Sequence, residues 1–398
     1  MICTAGILAT VPIARTVQHL VYDTVGREFF TYSVLFAVIT ALTILLFLFI
    51  FKLKVKKVSQ YIWLFICAGL YVHFTFQLKA HPEEAIHFLE YGLLSYFLLR
   101  ALNQRIRDWT VYVTTVLFVL FVGTIDEFLQ WMIPRRFFDF RDVGLNMLAG
   151  GIFLLAVWKG IRPKITGEPL SKFSVKMLAG IITVNLVFLG LCLSNTPSTV
   201  NRYSAAFNAL SWLRNEEPMA DFGYKHKDPE IGTFYSGLTL EKLRDIDLTN
   251  GELYGKVLPR DAISVAVFEK MLKVYTPNTD PFLYEFLVHL FQRDSSFTEL
   301  KGTHNQNKKI IMSKIAFGEH ILIEKYFGNT LKYSGFAWPD EKVKKLKNTA
   351  FLRKGDYLSR AVPRIITAFS LKEALVVIFI TLIAVWVLGG IWIKRLKI

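Results

Sequence analysis

Cysteine is scarce in this 398-residue chain: Cys3, Cys67 and Cys192 lie far apart, so neither a disulfide framework nor a Cys-based zinc site is available. Charge is scarce as well. Asp, Glu, Lys and Arg supply 20% of residues against 53% hydrophobic, a balance that excludes disordered, collagen-like and coiled-coil architectures. No H-E-x-x-H metal motif, nucleophile elbow or P-loop occurs, so no metal or cofactor is assigned. Internal repeats and low-complexity tracts are missing too.

Long apolar runs are abundant. A membrane-crossing helix needs about 20 mostly apolar residues. Seven segments approach or meet that length: 29–51, 61–78, 85–102, 109–133, 143–161, 175–193 and 374–393. The first and last contain no charge, so a soluble reading fails; 85–102 is weaker because His87 and Glu90 lie within it. Residues 1–28 hold one short run, Ile7 to Ala14, too short to span and without a cleavage site after it. They read as an interfacial N-terminal segment on the outer side of the membrane.

Lys and Arg in short loops set orientation. Lys52, Lys54, Lys56, Lys57, Arg100, Arg105, Arg107, Lys159, Arg162, Lys164, Lys172, Lys176, Lys394, Arg395 and Lys397 fall on one side. Only Lys79, Arg135, Arg136 and Arg141 fall on the other. The richer set should be cytoplasmic, which puts the N-terminus and residues 194–373 outside and the C-terminus inside. Segment 194–373 holds 26 Lys and Arg against 21 Asp and Glu, leaving +10 of the chain's +15 on the membrane part. The basic excess is therefore a topology signal, not a nucleic-acid footprint.

The expected fold is an all-α polytopic membrane protein of about seven transmembrane helices. A six-helix membrane domain (29–193) is followed by a mainly helical extracytoplasmic domain (194–373) between helices six and seven. A final span with a basic tail (374–398) completes it. In the outer domain, Asp280-Pro281 is a helix start, with Phe282, Leu283, Phe286, Leu287, Leu290 and Phe291 behind it at helical spacing. Further helices are expected over about 261–275 and 308–330, with Asn250-Gly251, Pro277-Asn278 and Trp338-Pro339-Asp340 as turns. The stretch 351–369 alternates basic and apolar residues and reads as a surface-lying amphipathic piece. His73, His289 and His320 read as packing or surface residues.

The informative region is 79–151. Glu83 and His87 are four apart, as are His87 and Tyr91, and Glu90 follows His87 by three. Span four ends with Asp126, Glu127 and Gln130; the next loop supplies Arg135, Arg136, Asp139, Arg141 and Asp142; span five places Asn146 one turn beyond Asp142. At about 1.5 Å rise per residue, Asp126 lies roughly 12 Å below Pro134 and Asn146 roughly 6 Å below Asp142, while Glu90 lies about as deep below Pro82 as Asp126 does below Pro134. These groups therefore share one layer in the outer part of the bilayer. Charge at that depth is costly unless paired or hydrated, so it is rare outside functional cavities. The bland alternative is that the arginines pair with Asp139 and Asp142, that the acids snorkel or lock helices, and that Glu83 and Glu84 are solvated.

At these residues the sequence resembles the VanZ-like family of bacterial membrane proteins. The resemblance rests on His87 and Tyr91 in one span and on Asp126, Glu127 and Gln130 before Pro134 and Arg136. Asp142, Val143 and Asn146, with small residues from Ala149 to Gly151, complete it. Glu83 and Glu84 depart from the Asp-Lys pair common in the family. The resemblance implies a site at the outer face of the bacterial cytoplasmic membrane, near cell-envelope lipids and peptidoglycan precursors. The family is named for a protein associated with resistance to a lipid-tailed glycopeptide antibiotic.

The favoured reading is non-enzymatic. His87, Glu90, Tyr91, Asp126, Glu127, Gln130 and Asn146 would shape a pocket for an envelope lipid, precursor or amphiphilic antibiotic, with Arg135, Arg136 and Arg141 beside Asp139 and Asp142 holding a phosphate or carboxylate. The alternative is a hydrolase or transferase acting on a lipid-linked phosphate, with His87, Asp126 and Glu127 as acid and base. Transport predicts a midplane site and repeats, neither of which is visible. Membrane lipids are the expected partners; oligomeric state is left open.

Overall fold

The computed structural model describes residue 6 and residues 14–134, 136–163, 166–350, 354–362 and 364–396. It divides into two compact units, residues 1–189 with 377–398, and residues 190–376.

In the first unit, Ala14–Thr24 forms helix α1, and the rest of the expected short run before it, residues 7–13, lies outside the described residues. Helices α2 (Phe29–Phe47), α3 (Val58–Gln77), α4 (Ile86–Leu102), α5 (Thr110–Trp131) and α6 (Phe140–Leu155) follow. Next come α7 (Lys172–Ser194) and, at the far end of the chain, the helix Leu371–Arg395. Among the described residues six of these helices, all but α1 and α4, are long and apolar enough to cross a membrane. The expected third span, α4, has 17 residues, a rise of about 25 Å, and a 3₁₀ turn over Pro82–Ala85 leads into it.

Helices α4, α5 and α6 pack on one another, and glycine sets how closely. A Cβ on Gly150 would come within 2.5 Å of Ser95 Oγ and 2.9 Å of Val119, and one on Gly123 within 3.0 Å of Asn146 Cβ. Small residues at these contacts admit the neighbouring helix, where apolar burial in lipid supplies no driving force. Tyr71 from α3 ties in by donating to the Ala149 carbonyl at 2.8 Å.

The second unit carries α8 (Pro197–Ala206), α9 (Leu240–Val257), α10 (Val265–Met271), α11 (Pro281–Gly302), α12 (Gln306–Tyr326), α13 (Gly328–Ser334) and α14 (Asp340–Ala350). Two small sheets accompany them: β1 (Asp221–Phe222) parallel to β5 (Ile365–Ile366), and β2 (Tyr224–Asp228) antiparallel to β3 (Gly232–Ser236), which runs parallel to β4 (Tyr357–Leu358). As expected, Asp280 caps α11, its carboxylate accepting from the Leu283 amide at 2.9 Å ahead of Pro281. The apolar face of α11, with Phe282, Leu283, Phe286, Leu287 and Leu290, packs on Leu322, Ile323, Tyr326 and Phe327 to form the core.

Several local expectations are corrected here. Asn250-Gly251 is no turn but lies inside α9. Its glycine serves a close approach: a Cβ there would sit 2.7 Å from Asn329 Cβ and 3.0 Å from the Thr330 amide. The helix expected over 261–275 contracts to α10, and the one expected over 308–330 breaks at Phe327. The stretch 351–369 is not an amphipathic piece lying on a surface. Residues 351–353 and Pro363 lie outside the described residues, and the rest contributes β4 and β5 and buries Tyr357, Ala361 and Val362. The buried hydroxyl of Tyr357, bonded to Glu319 at 2.6 Å, fixes this segment within the domain.

Candidate functional site

The polar residues singled out from the sequence come together at the ends of α4, α5 and α6. Tyr91 is fully buried on α4, and its hydroxyl donates to Asp126 Oδ2 on α5 at 2.9 Å. Asp126 is 3% exposed and Glu127 1%. Although adjacent in sequence, the two acids reach different partners. Glu127 accepts from Gln130 Nε2 at 3.0 Å and from the Asp139 amide at 3.2 Å. Gln130 in turn accepts from Arg136 Nη1 at 2.7 Å. The chain Arg136–Gln130–Glu127–Asp139 thus folds the α5–α6 loop back onto the end of α5.

Asp139 also starts α6: its side chain accepts from the Arg141 amide at 2.7 Å, the N-cap geometry. Arg141 reaches across to α4's leading turn and donates to Glu84 Oε1 at 2.7 Å, with Asp142 Oδ1 at 3.4 Å and Asp139 Oδ2 at 3.9 Å. Glu84 is therefore not simply solvated. A 3₁₀ turn repeats every three residues, so over Pro82–Ala85 it is Glu84, three before His87, that joins the cluster. Glu83, expected on the face of His87, instead takes a hydrogen bond from Tyr22. Arg135 lies outside the described residues.

Alongside these satisfied groups sit buried atoms without a hydrogen-bond partner. Asn146 is fully buried, and neither its Oδ1 nor its Nδ2 has a hydrogen-bond partner. His87 Nδ1 lies 3.4 Å from Glu90 Oε2, close enough for an ion pair but without hydrogen-bond geometry. Glu84 Oε2 is likewise buried and unpartnered. Gly123 joins the site without any sequence signal of its own. Its Cα faces Asn146 and Tyr91, and a Cβ there would meet Asn146 Nδ2 at 3.3 Å and Tyr91 Cε1 at 3.6 Å. Among the described residues, no three His, Cys, Asp or Glu side chains converge to hold a metal ion.

Residues 16–162 match the family model described as VanZ/LLP1. Over that segment, which carries several of the membrane-crossing helices, the chain is similar to the VanZ-like family. The segment contains the whole polar cluster and extends well beyond the residues 79–151 that carry the resemblance in sequence. No curated protein and no solved structure matches the chain significantly. The second unit, residues 190–376, lies outside the matched VanZ-like segment.

Proposed function

We propose that the VanZ-like module binds the polar head of an amphiphile at the outer face of a bacterial cytoplasmic membrane. The reading takes the ligand to be a cell-envelope lipid, a lipid-linked precursor or an amphiphilic antibiotic. One observation carries it: buried, unpartnered hydrogen-bonding atoms on Asn146, His87 and Glu84 within one connected cluster. Each such atom left unsatisfied costs about 1–3 kcal/mol, a penalty that a bound head group would relieve.

The cluster's chemistry narrows the head group. Both described arginines are already hydrogen-bonded within it, Arg136 to Gln130 and Arg141 to Glu84. A bare guanidinium clamp for a phosphate is therefore not the best fit. The atoms that wait for partners are an amide donor, an amide acceptor, a ring nitrogen and a carboxylate oxygen. This set complements a head rich in both hydroxyl and amide groups, such as a sugar or peptide. Tyr91 and Asp126 would fix the pocket's inner wall through their 2.9 Å hydrogen bond. Positive charge in the loops opposite this end of the helices supports the outward orientation.

The test uses purified full-length protein in nanodiscs, with a lipid-tailed glycopeptide antibiotic and an undecaprenyl-linked disaccharide–peptide as probes. The account expects saturable binding of at least one probe, weakened about tenfold or more by Asn146→Leu and by Asp126→Asn. Equal binding by wild type and both folded variants, or no binding of either probe, contradicts it.

A further inference from the structure

The second unit contains a cavity of about 240 Å³ that the VanZ-like reading leaves unused. Two carboxyl groups line it, Asp221 on β1 and Glu285 on α11. Glu285 is 2% exposed; its Oε1 accepts from the Gly237 amide at 2.7 Å, while its Oε2 is buried with no hydrogen-bond partner. Other buried acids of this unit have a cation or hydroxyl at hydrogen-bond distance. Lys325 and Tyr326 serve Asp228, and His289, one helical turn beyond Glu285, is held by Glu319 at 2.6 Å. No Lys or Arg is among the described residues lining the cavity. Phe222, Pro277, Pro281 and Val362 supply an apolar wall beside the acids. Two carboxyls against such a wall are too few oxygens for a hard divalent cation, which takes six or more, and they suit an organic cation with an apolar stem.

We propose that this cavity binds a primary ammonium group on a short apolar stem, with Glu285 as its counter-ion and Asp221 as the second acid. Burial pushes the Glu285 carboxyl up to about 7, against the pull of Ser236 and the Gly237 amide. Burial, reinforced by Glu217, likewise raises Asp221 to about 7. The charged forms that an ammonium needs are therefore lost as pH falls through neutrality. Thr196, buried, and Ser198, exposed, both line the cavity and follow the last residue of α7, Ser194, by two and four positions. The ammonium could accordingly come from a phosphatidylethanolamine head group or from a free amine.

Benzylamine, with benzyl alcohol as its neutral counterpart, tests this on the full-length protein in phosphatidylcholine–phosphatidylglycerol nanodiscs, read by saturation-transfer NMR. The expected result is binding of the amine and not the alcohol at about pH 8, weakened at least about tenfold near pH 6. Glu285→Gln, which keeps an acceptor for Gly237, should abolish it. So should Ser198→Trp, which plugs the rim from an exposed position and leaves the core intact. Competition on adding phosphatidylethanolamine to the nanodiscs assigns the lipid source; its absence assigns a free amine. Equal binding of amine and alcohol, no binding of the amine, or unchanged binding by either folded variant overturns the proposal.

Discussion

Both units bury acids, but the carboxylates of Glu319 and Asp247 in the second unit are satisfied in a way that the VanZ-like cluster of the first, and Glu285 in the second, are not. In the second unit, Glu319 is saturated by Tyr357, Ser359 and His289, each at 2.6 Å. Asp247 accepts from the Asn329 and Thr330 amides, both at 2.9 Å, and from the Thr330 hydroxyl at 2.8 Å. These carboxylates staple distant segments and have no capacity left over. In the VanZ-like module, Asp126 and Glu127 are also bonded, but their neighbours Asn146, His87 and Glu84 keep buried atoms without partners. A buried charge by itself therefore marks a staple as readily as a site. Unsatisfied groups beside it distinguish the two, since a fold gains nothing from burying a donor or acceptor it cannot pair.

That contrast can be broken by substitution, starting with its strongest consequence. Glu319→Ala strands three buried partners and should lower the second unit's stability by about 3–5 kcal/mol, read from denaturant unfolding of the purified protein. A loss under ~1 kcal/mol would make Glu319 no staple at all. Glu285 offers a pH-dependent comparison. Its carboxyl titrates at about 7 in the fold against an ordinary value of 4.5. The folded state thus holds a proton that the unfolded chain releases between these values, and stability is lost as pH rises through about 7. Glu285→Gln should stabilise the protein near pH 8 and leave it unchanged near pH 4; identical shifts at both would refute the burial account.

Smaller effects sharpen the comparison further. Gly318→Ala would place a Cβ 2.4 Å from the Tyr357 ring and should cost about 1–3 kcal/mol by overpacking, visible as a lower melting midpoint. Asp280→Ala removes the α11 cap and should cost about 1 kcal/mol. Asn146→Leu removes a side chain with no partners, and so should change stability by less than about 1 kcal/mol, in the stabilising direction if at all. A large loss on that substitution would turn the membrane cluster into a staple like the one around Glu319.

Six of the seven expected membrane-crossing helices, and the meeting of His87, Tyr91, Asp126, Glu127, Gln130 and Asn146, were legible in sequence because both follow from hydropathy and helical period. Glu84's place was not, since helical spacing assigns that face to Glu83 and only the 3₁₀ turn exchanges them. Gly123 was silent because its role depends on the helix opposite. In the second unit, Asn250-Gly251 reads as a turn locally but is overruled by packing against Asn329 and Thr330. The partners of Glu319 lie as far off as Ser359, with nothing local to announce them. The cavity around Glu285 draws on β1, α11 and the loop after β3 for the same reason.

Native mass spectrometry of the full-length protein, released gently from nanodiscs formed in cell-membrane lipid, tests the membrane site most directly. The account predicts an amphiphile retained by wild type and by Glu285→Gln, and lost from an Asn146→Leu, His87→Leu double variant that keeps its melting midpoint. Retention of the same species by that folded double variant, or no retained amphiphile on wild type, would contradict it.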